Sequence, residues 1–157
     1  MKELDIATPI IARGYDELDD IDRALVDAAK SAIAGSYAPY SHFKVGAAIL
    51  LENGVTVTGA NQENVAYPSG TCAERSACFY AGARYPGVGF ARIAVAAVGP
   101  DGKPTAQPTA PCGACRQSLL EYEKLSGHPV PVLLAGAEEI YILPSVASLL
   151  PLAFTEF

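Results

Sequence analysis

The stretch KVGAAILLENGVTVT, residues 44–58, decides the fold class. An apolar run over 44–51 ends in Glu52-Asn53-Gly54, and Asn-Gly between such runs is the strongest short-range signal for a β-hairpin. Residues 55–58 then alternate valine and threonine, as a returning strand does. The sequence therefore predicts two antiparallel strands early in the chain.

Helices and further strands are predicted on both sides of this hairpin. Before it, apolar residues recur at spacings of three and four, which predicts an amphipathic helix over about 18–34. Strands that alternate with helices are typical of an α/β layered sheet, and the opening hairpin makes this five-stranded sheet mixed. Residues 1–15 are interpreted as an irregular arm and residues 16–157 as a single domain. The later elements are helices at 72–84 and 112–124, strands at 92–98, 130–134 and 140–143, and a short helix at 145–150.

The composition limits the classes of function. The chain has 157 residues and a formal net charge of −6, and its 50% hydrophobic and 18% charged residues exclude a largely disordered chain. It contains no apolar run long enough to span a membrane and shows no secretory signal, so a cytoplasmic location is expected. A binder of duplex nucleic acid normally presents a basic face, whereas this chain is acidic. We therefore expect neither nucleic acid nor a membrane as partner.

The cysteines allow three interpretations. Cys112 and Cys115 form a Cys-x-x-Cys pair where a helix is predicted to begin, which is typical of a thioredoxin-like redox site but leaves Cys72 without a role. A structural Cys₄ zinc site would also need Cys78, yet six residues along a helix turn through roughly 600° and separate Cys78 from Cys72. The third interpretation is a catalytic zinc held by Cys72, Cys112 and Cys115, with one position open for water.

Glu74 favours the catalytic interpretation. It follows Cys72 by two residues, at the same predicted helix start. A structural zinc site has no use for this carboxylate, whereas an activated water needs a group that takes its proton and passes one to a leaving group. Arg75 and Arg116 directly follow the two cysteine motifs, and a guanidinium near thiolates withdraws negative charge from them. We therefore interpret Glu74 as a proton shuttle and one of the arginines as a donor to sulfur.

At these residues the sequence resembles the zinc-dependent cytidine deaminases, in particular the short type with three cysteine ligands. The resemblance implies a three-layer α-β-α fold, one zinc ion per chain and a homotetramer with shared active sites. It also implies hydrolytic deamination of cytidine and 2′-deoxycytidine to uridine, 2′-deoxyuridine and ammonia, as in pyrimidine salvage. The matching motifs are YAPYSHFKVGAA (37–48), NQEN (61–64), TCAER (71–75), PCGACRQ (111–117) and LLPLAF (149–154).

The resemblance implies which residues contact the nucleoside. Phe43 would pack on it, and Asn61 and Glu63 would hydrogen-bond the ribose 3′-hydroxyl. The backbone of Ala73 would contact the pyrimidine carbonyl. These assignments make residues from four separated segments part of one substrate site.

The C-terminal motif would supply a contact from another chain. In the cytidine deaminases that this sequence resembles, the phenylalanine at the position of Phe154 reaches a neighbouring subunit's site and stacks on the base. This sequence has Leu152 where the family usually has glycine. Residues 1–15 have no obvious counterpart in the family.

Two other functions stay open. A blasticidin-type aminonucleoside deaminase shares the metal motifs, but its ribose-side contacts should differ from the 61–64 motif. A thioredoxin-like oxidoreductase would use Cys112 and Cys115, and it should work without zinc and without Cys72.

Overall fold

Helices lie on both faces of a six-stranded sheet in the computed structural model, which describes residues 1–156. The strands are β1 (Ile11–Arg13), β2 (Lys44–Leu51), β3 (Thr56–Ala60), β4 (Phe90–Val98), β5 (Val132–Ala135) and β6 (Ile140–Leu143). The helices are α1 (Asp20–Ala32), α2 (Ala73–Arg84) and α3 (Gly113–Ser126). Short 3-10 turns cover Tyr15–Glu17, Ile33–Gly35, Tyr67–Ser69 and Ala147–Leu149.

The sheet is mixed, as the sequence predicted. Its strand order is β1-β6-β5-β4-β2-β3, and only the β4–β5 pair is parallel among the described strands. The predicted hairpin joins β2 and β3. Gly54 takes a positive φ of 83° in its turn, and Asn53 Oδ1 accepts a hydrogen bond from Val55 N at 3.1 Å. Gly54 thus takes the left-handed conformation that glycine favours, and Asn53 supports the turn through its side-chain hydrogen bond.

The strand count is six rather than the predicted five. Residues 11–13 of the arm, which we expected to be irregular, form β1 and pair antiparallel with β6. All three residues of β1 are exposed, and their sequence, Ile-Ala-Arg, does not alternate apolar with polar side chains as a half-buried strand does. Because the partner strand lies about 130 residues further along the chain, no local signal in the sequence could have indicated this pairing.

The sheet separates two apolar layers, which gives the α-β-α arrangement. On one face, Leu25, Val26 and Ala29 of α1 are buried against the sheet. On the other face, α2 and α3 pack over a second cluster that includes Ala77 of α2 and Leu119 of α3. No helix in the described part of the chain is long and apolar enough to cross a membrane.

A close approach brings the start of α2 onto the sheet. A Cβ atom at Gly59 of β3 would lie 2.5 Å from the carbonyl oxygen of Ala73 and 2.6 Å from the amide nitrogen of Ala77. Both alanines are fully buried. The absence of a side chain at Gly59 therefore determines how closely the first turn of α2 packs on β3.

Candidate active site

Three cysteine sulfurs converge where two helices begin. Cys72 and Cys112 are the residues immediately before α2 and α3, and Cys115 lies in the first turn of α3. Cys112 Sγ lies 3.8 Å from Cys72 Sγ and 3.6 Å from Cys115 Sγ. All three sulfurs are within 4.8 Å of one another, and none is in a disulfide.

The sulfur cluster fits a zinc ion. Zinc binds thiolates at about 2.3 Å with tetrahedral angles, which places the sulfurs about 3.8 Å apart. The separations of Cys112 Sγ from the other two sulfurs, 3.8 and 3.6 Å, match this spacing. Among residues 1–156, it is the only group of three or more His, Cys, Asp or Glu side chains that converges in this way. Three thiolates leave one tetrahedral position for water or substrate.

Cys78 lies outside this cluster, as its position on α2 predicted. Its side chain is fully buried, and its Sγ lies 3.6 Å from the carbonyl oxygen of Arg75, to which it donates. Burial raises the pKa of the Cys78 thiol to about 12. Cys78 is therefore a packed, protonated thiol, and the converging donor set has three sulfurs.

The two arginines that follow the cysteine motifs have different partners. The guanidinium of Arg75 lies 3.9 Å from Cys72 Sγ. Contact with Cys115, followed by the contact with Arg75, lowers the pKa of the Cys72 thiol to about 5. Arg116 instead donates to the carbonyl oxygens of Pro111 at 2.8 Å and Leu149 at 2.6 Å. Arg75 thus lies against the sulfurs, while Arg116 connects the start of α3 to the C-terminal segment.

Glu74 places a buried carboxyl beside the cysteines. It lies in the first turn of α2, and only 4% of its surface is exposed. Burial is the main cause that raises the pKa of Glu74, and the negative charge of Cys72 acts in the same direction. A buried carboxyl whose pKa is raised is suited to accept and return a proton. The neighbouring Ala73 is fully buried at the same helix start.

A cleft of about 560 Å³ opens beside Cys72 and Arg75. Two of the predicted ribose contacts, Asn61 and Glu63, belong to its wall. The complete lining consists of Tyr40, Ser41, Asn61, Gln62, Glu63, Asn64, Tyr67, Gly70, Thr71, Cys72 and Arg75. The structure therefore brings the 61–64 motif and the first cysteine motif to one opening.

Asn61 connects this cleft to Phe43. Its side-chain Nδ2 donates to the carbonyl oxygen of Phe43 at 2.9 Å. Its Oδ1 accepts from the amide of Val45 at 2.8 Å and from the hydroxyl of Ser36 at 2.5 Å. Phe43 itself is half-buried immediately before β2. The amide of Asn61 thereby fixes the backbone on both sides of Lys44.

Glu63 is surrounded by donors from the turn before β2. Its Oε2 accepts from the amides of Tyr40 at 2.8 Å and Ser41 at 3.3 Å, and its Oε1 accepts from the hydroxyl of Ser41. The Ser41 hydroxyl is the main cause that lowers the pKa of Glu63, followed by the Tyr40 amide. Ser41 carries no signal of this contact in the sequence, although it stands two residues before Phe43 in the motif 37–48.

Phe154 lies away from the cleft of its own chain. The C-terminal segment runs along α3, where Gln117 donates to the carbonyl oxygen of Phe154 at 2.9 Å and Lys124 donates to that of Thr155 at 3.0 Å. Leu152, which we noted in place of the family's glycine, has a left-handed φ of 55°. This is the conformation that glycine adopts without strain.

Sequence comparison finds similar proteins along most of the chain. The family model described as "Cytidine and deoxycytidylate deaminase zinc-binding region" matches residues 19–126, a range that includes the three converging cysteines and Glu74. A cytidine deaminase from Halalkalibacterium halodurans is 40% identical over 133 residues, which are 83% of this chain and 92% of that protein. The cytidine deaminase of Mycobacterium tuberculosis is 45% identical over 105 residues, 65% of this chain and 74% of that protein.

Structural comparison gives the same group of proteins. The crystal structure of cytidine deaminase from Burkholderia pseudomallei has a TM-score of 0.71 and 43% identity, covering 83% of this chain and 97% of that chain. The crystal structure of the Mycobacterium tuberculosis cytidine deaminase has a TM-score of 0.65 and 34% identity, covering 88% and 99%.

Proposed function

Since the chain belongs to the cytidine and deoxycytidylate deaminase family with a zinc-binding region, we propose that it hydrolyses cytidine and 2′-deoxycytidine. The products are uridine or 2′-deoxyuridine and ammonia. One observation carries this proposal above the others: the buried carboxyl of Glu74 lies at the same helix start as the first of three converging sulfurs.

The proton transfers of the reaction fall to Glu74. Cys72, Cys112 and Cys115 hold the zinc ion, which when bound lowers the pKa of a water toward neutrality. Glu74 would accept one proton of the attacking water and give it to N3 of the pyrimidine, then take the second proton of that water from the hydroxyl newly bonded to C4 and give it to the amine, which leaves as ammonia. Its burial supports this role, because a raised pKa makes the protonated carboxyl a stable intermediate state.

The charges around the cleft favour a nucleoside over a nucleotide or a polynucleotide. Among the residues that line it, Arg75 is the only cationic side chain, and its guanidinium lies against Cys72 Sγ. Glu63 supplies a carboxylate on the side assigned to the ribose. A phosphate near Glu63 would be repelled, whereas a 3′-hydroxyl can donate to it. In this proposal Asn61 and Glu63 select the sugar, Phe43 packs on the nucleoside, and the backbone of Ala73 contacts the pyrimidine carbonyl.

A homotetramer that shares its active sites completes this proposal. In it, Phe154 stacks on the base bound by a neighbouring subunit. Several large apolar side chains near the cleft or on the outer face of α2 support an interface between copies of the chain, because they are at least half exposed. They are Val65, Tyr67, Phe79 and Tyr80. The proposed catalytic domain is residues 16–157, whose sheet is extended by β1 from the preceding arm, and it works in the cytoplasm in pyrimidine salvage.

The test is incubation with cytidine while the loss of absorbance on formation of uridine is followed. We expect turnover that a zinc chelator abolishes and added zinc restores. Full activity of the metal-free protein would contradict the mechanism. A disulfide-reduction assay on the Cys72→Ala variant separates the thioredoxin-like alternative, which predicts activity without Cys72.

A further inference from the structure

The turn of residues 38–43, which leads into β2, is folded around the carboxylate of Glu63. The amide of His42 donates to the carbonyl oxygen of Ala38 at 3.1 Å and closes the turn. His42 has a left-handed φ of 56°, which is uncommon for a residue with a side chain. Within this turn, the amides of Tyr40 and Ser41 donate to Glu63 Oε2.

The hydrogen bonds of Glu63 leave one defined position for a ligand. A carboxylate oxygen accepts about two hydrogen bonds. Oε2 already accepts two, from the amides of Tyr40 and Ser41. Oε1 accepts one, from the hydroxyl of Ser41. A hydroxyl of the substrate can therefore donate to Oε1, the oxygen that also accepts from the Ser41 hydroxyl.

The proton of the Ser41 hydroxyl is committed to Glu63. The same oxygen, Ser41 Oγ, accepts a hydrogen bond from the amide of Phe43 at 3.0 Å. A hydroxyl has a single proton to donate, and the Phe43 amide occupies an accepting position, so the proton is directed to Glu63 Oε1. Ser41 thus orients the carboxylate rather than presenting its own proton to a ligand.

We propose that Ser41 is a positioning residue for recognition of the ribose 3′-hydroxyl. The hydroxyl of Ser41 holds Glu63 Oε1 at the position where it accepts a hydrogen bond from the ribose 3′-hydroxyl. This rests on the proposed function, in which Glu63 contacts the sugar. Ser41 touches neither the reacting carbon nor the metal ligands in this account. Its effect is expected on the selection of the sugar and not on the chemical step.

The measurement is the ratio of kcat/KM for 2′-deoxycytidine to that for 2′,3′-dideoxycytidine, which lacks the 3′-hydroxyl. In the zinc-loaded Ser41→Ala enzyme we expect this ratio to fall about tenfold, the effect of misplacing one hydrogen bond to a charged group. The loss should appear in KM more than in kcat. Ser41→Thr keeps the hydroxyl and should restore the ratio, and Ser31→Ala, an exposed serine of α1, should leave it unchanged.

Glu63→Gln separates failure of this proposal from failure of its premise. If Glu63→Gln leaves the ratio unchanged, the assignment of Glu63 to the 3′-hydroxyl is wrong. If Glu63→Gln lowers the ratio while Ser41→Ala does not, or if Ser41→Ala slows both substrates equally, the role of Ser41 is overturned. The double variant should have a ratio no lower than Glu63→Gln alone. Should Ser41→Ala not fold, Ser41→Gly also lacks the hydroxyl, and the same ratio decides.

Discussion

The Sγ atoms of Cys72 and Cys112 lie 3.8 Å apart although 40 positions separate the two residues in the chain. Each cysteine stands immediately before a helix, and the two helices pack on the same face of the sheet. A Cβ at Gly82 of α2 would lie 2.5 Å from the hydroxyl oxygen of Tyr122 on α3, so these helices are in close contact. The metal site is therefore a product of helix packing.

Removal of one sulfur should abolish zinc binding. We expect one zinc ion per chain in the protein, and loss of that zinc in Cys112→Ala, because two thiolates cannot complete a stable tetrahedral site. Elemental analysis of the purified, dialysed protein measures this. Cys78→Ala is the matched control, since it removes a cysteine outside the cluster and should keep the zinc. Retention of a full zinc complement by Cys112→Ala would refute the assignment.

Glu74→Gln should retain zinc and lose nearly all turnover. Glutamine keeps the size of the side chain but cannot accept and return the proton, and such proton transfer contributes about 10²–10⁴-fold to rate. The comparison is kcat on cytidine with zinc content measured on the same sample. Glu121→Gln changes an exposed carboxylate of α3 and should retain normal kcat. Full activity in Glu74→Gln would exclude Glu74 as the shuttle.

Gly59→Ala should destabilise the protein, since the new Cβ would lie 2.5 Å from the Ala73 carbonyl oxygen. Overpacking of this kind costs about 1–3 kcal/mol in free energy of unfolding. Denaturant unfolding followed by circular dichroism measures the change. Gly35→Ala is the control, because its Cβ would meet its nearest neighbour at an ordinary 3.7 Å. Equal stability of the two variants would argue against the close approach of α2 to β3.

Leu152→Gly should not destabilise the protein, although a large apolar side chain is removed. Leu152 is exposed, so little buried area is lost, and its left-handed φ costs about 1–2 kcal/mol that glycine avoids. The greater freedom of glycine in the unfolded chain offsets about 0.4–1 kcal/mol of this gain. Ala153 does not have a left-handed φ, so Ala153→Gly gains only the added freedom of the unfolded chain and relieves no strain. This control variant should therefore have a lower free energy of unfolding than the parent protein. A larger loss in Leu152→Gly than in Ala153→Gly would contradict this account.

His128 should make stability depend on pH around neutrality. The carbonyl of Pro129, and then the carboxylate of Glu52 at 2.7 Å from Nε2, raise the pKa of His128 above its ordinary value. The stabilisation is therefore fully present below about pH 6.5 and is lost as pH rises through the higher pKa of the folded protein. In thermal unfolding, His128→Gln should lower Tm relative to the parent protein at pH 6 and much less at pH 8.5.

The contact with Glu52 supplies a check on this interpretation. Glu52→Gln removes the negative charge while it keeps the length of the side chain. The Tm of this variant should therefore change less between pH 6 and pH 8.5 than the Tm of the parent protein, as expected for His128→Gln. A pH dependence that is unchanged in both variants would show that other groups cause it.

Features encoded by nearby residues could be predicted from the sequence. The hairpin followed from Asn53 and Gly54, and its turn uses the left-handed φ of Gly54 and a side-chain hydrogen bond of Asn53. Helix α1 begins at Asp20, two residues later than predicted, because the side chain of Asp19 accepts from the amide of Asp22 at 2.7 Å and caps the helix. Leu18 is buried but lies before the helix. Its hydrophobicity reflected packing and not helical structure.

Features that depend on distant parts of the chain could not be predicted in the same way. The spacing of Cys112 and Cys115 predicted only that these two residues could bind one ion, because positions i and i+3 share a helix face. The approach of Cys72 depends on the packing of α2 against α3. The different partners of Arg75 and Arg116 depend on where Leu149 and the sulfurs come to lie after folding. The bond from Ser41 to Glu63 crosses 22 positions and joins two polar loop residues, for which no periodic pattern exists.

The pairing of β1 with β6 also bears on the order in which the molecule is made. β1 leaves the ribosome before the other described strands, and its partner follows about 130 residues later, a delay of roughly 10 s at ordinary rates of translation. During that interval β6, the native partner of β1, is absent, while the β2–β3 hairpin can already form. The strand synthesised first is thus among the last to enter the sheet, and a nascent chain stalled before residue 140 must carry it unpaired.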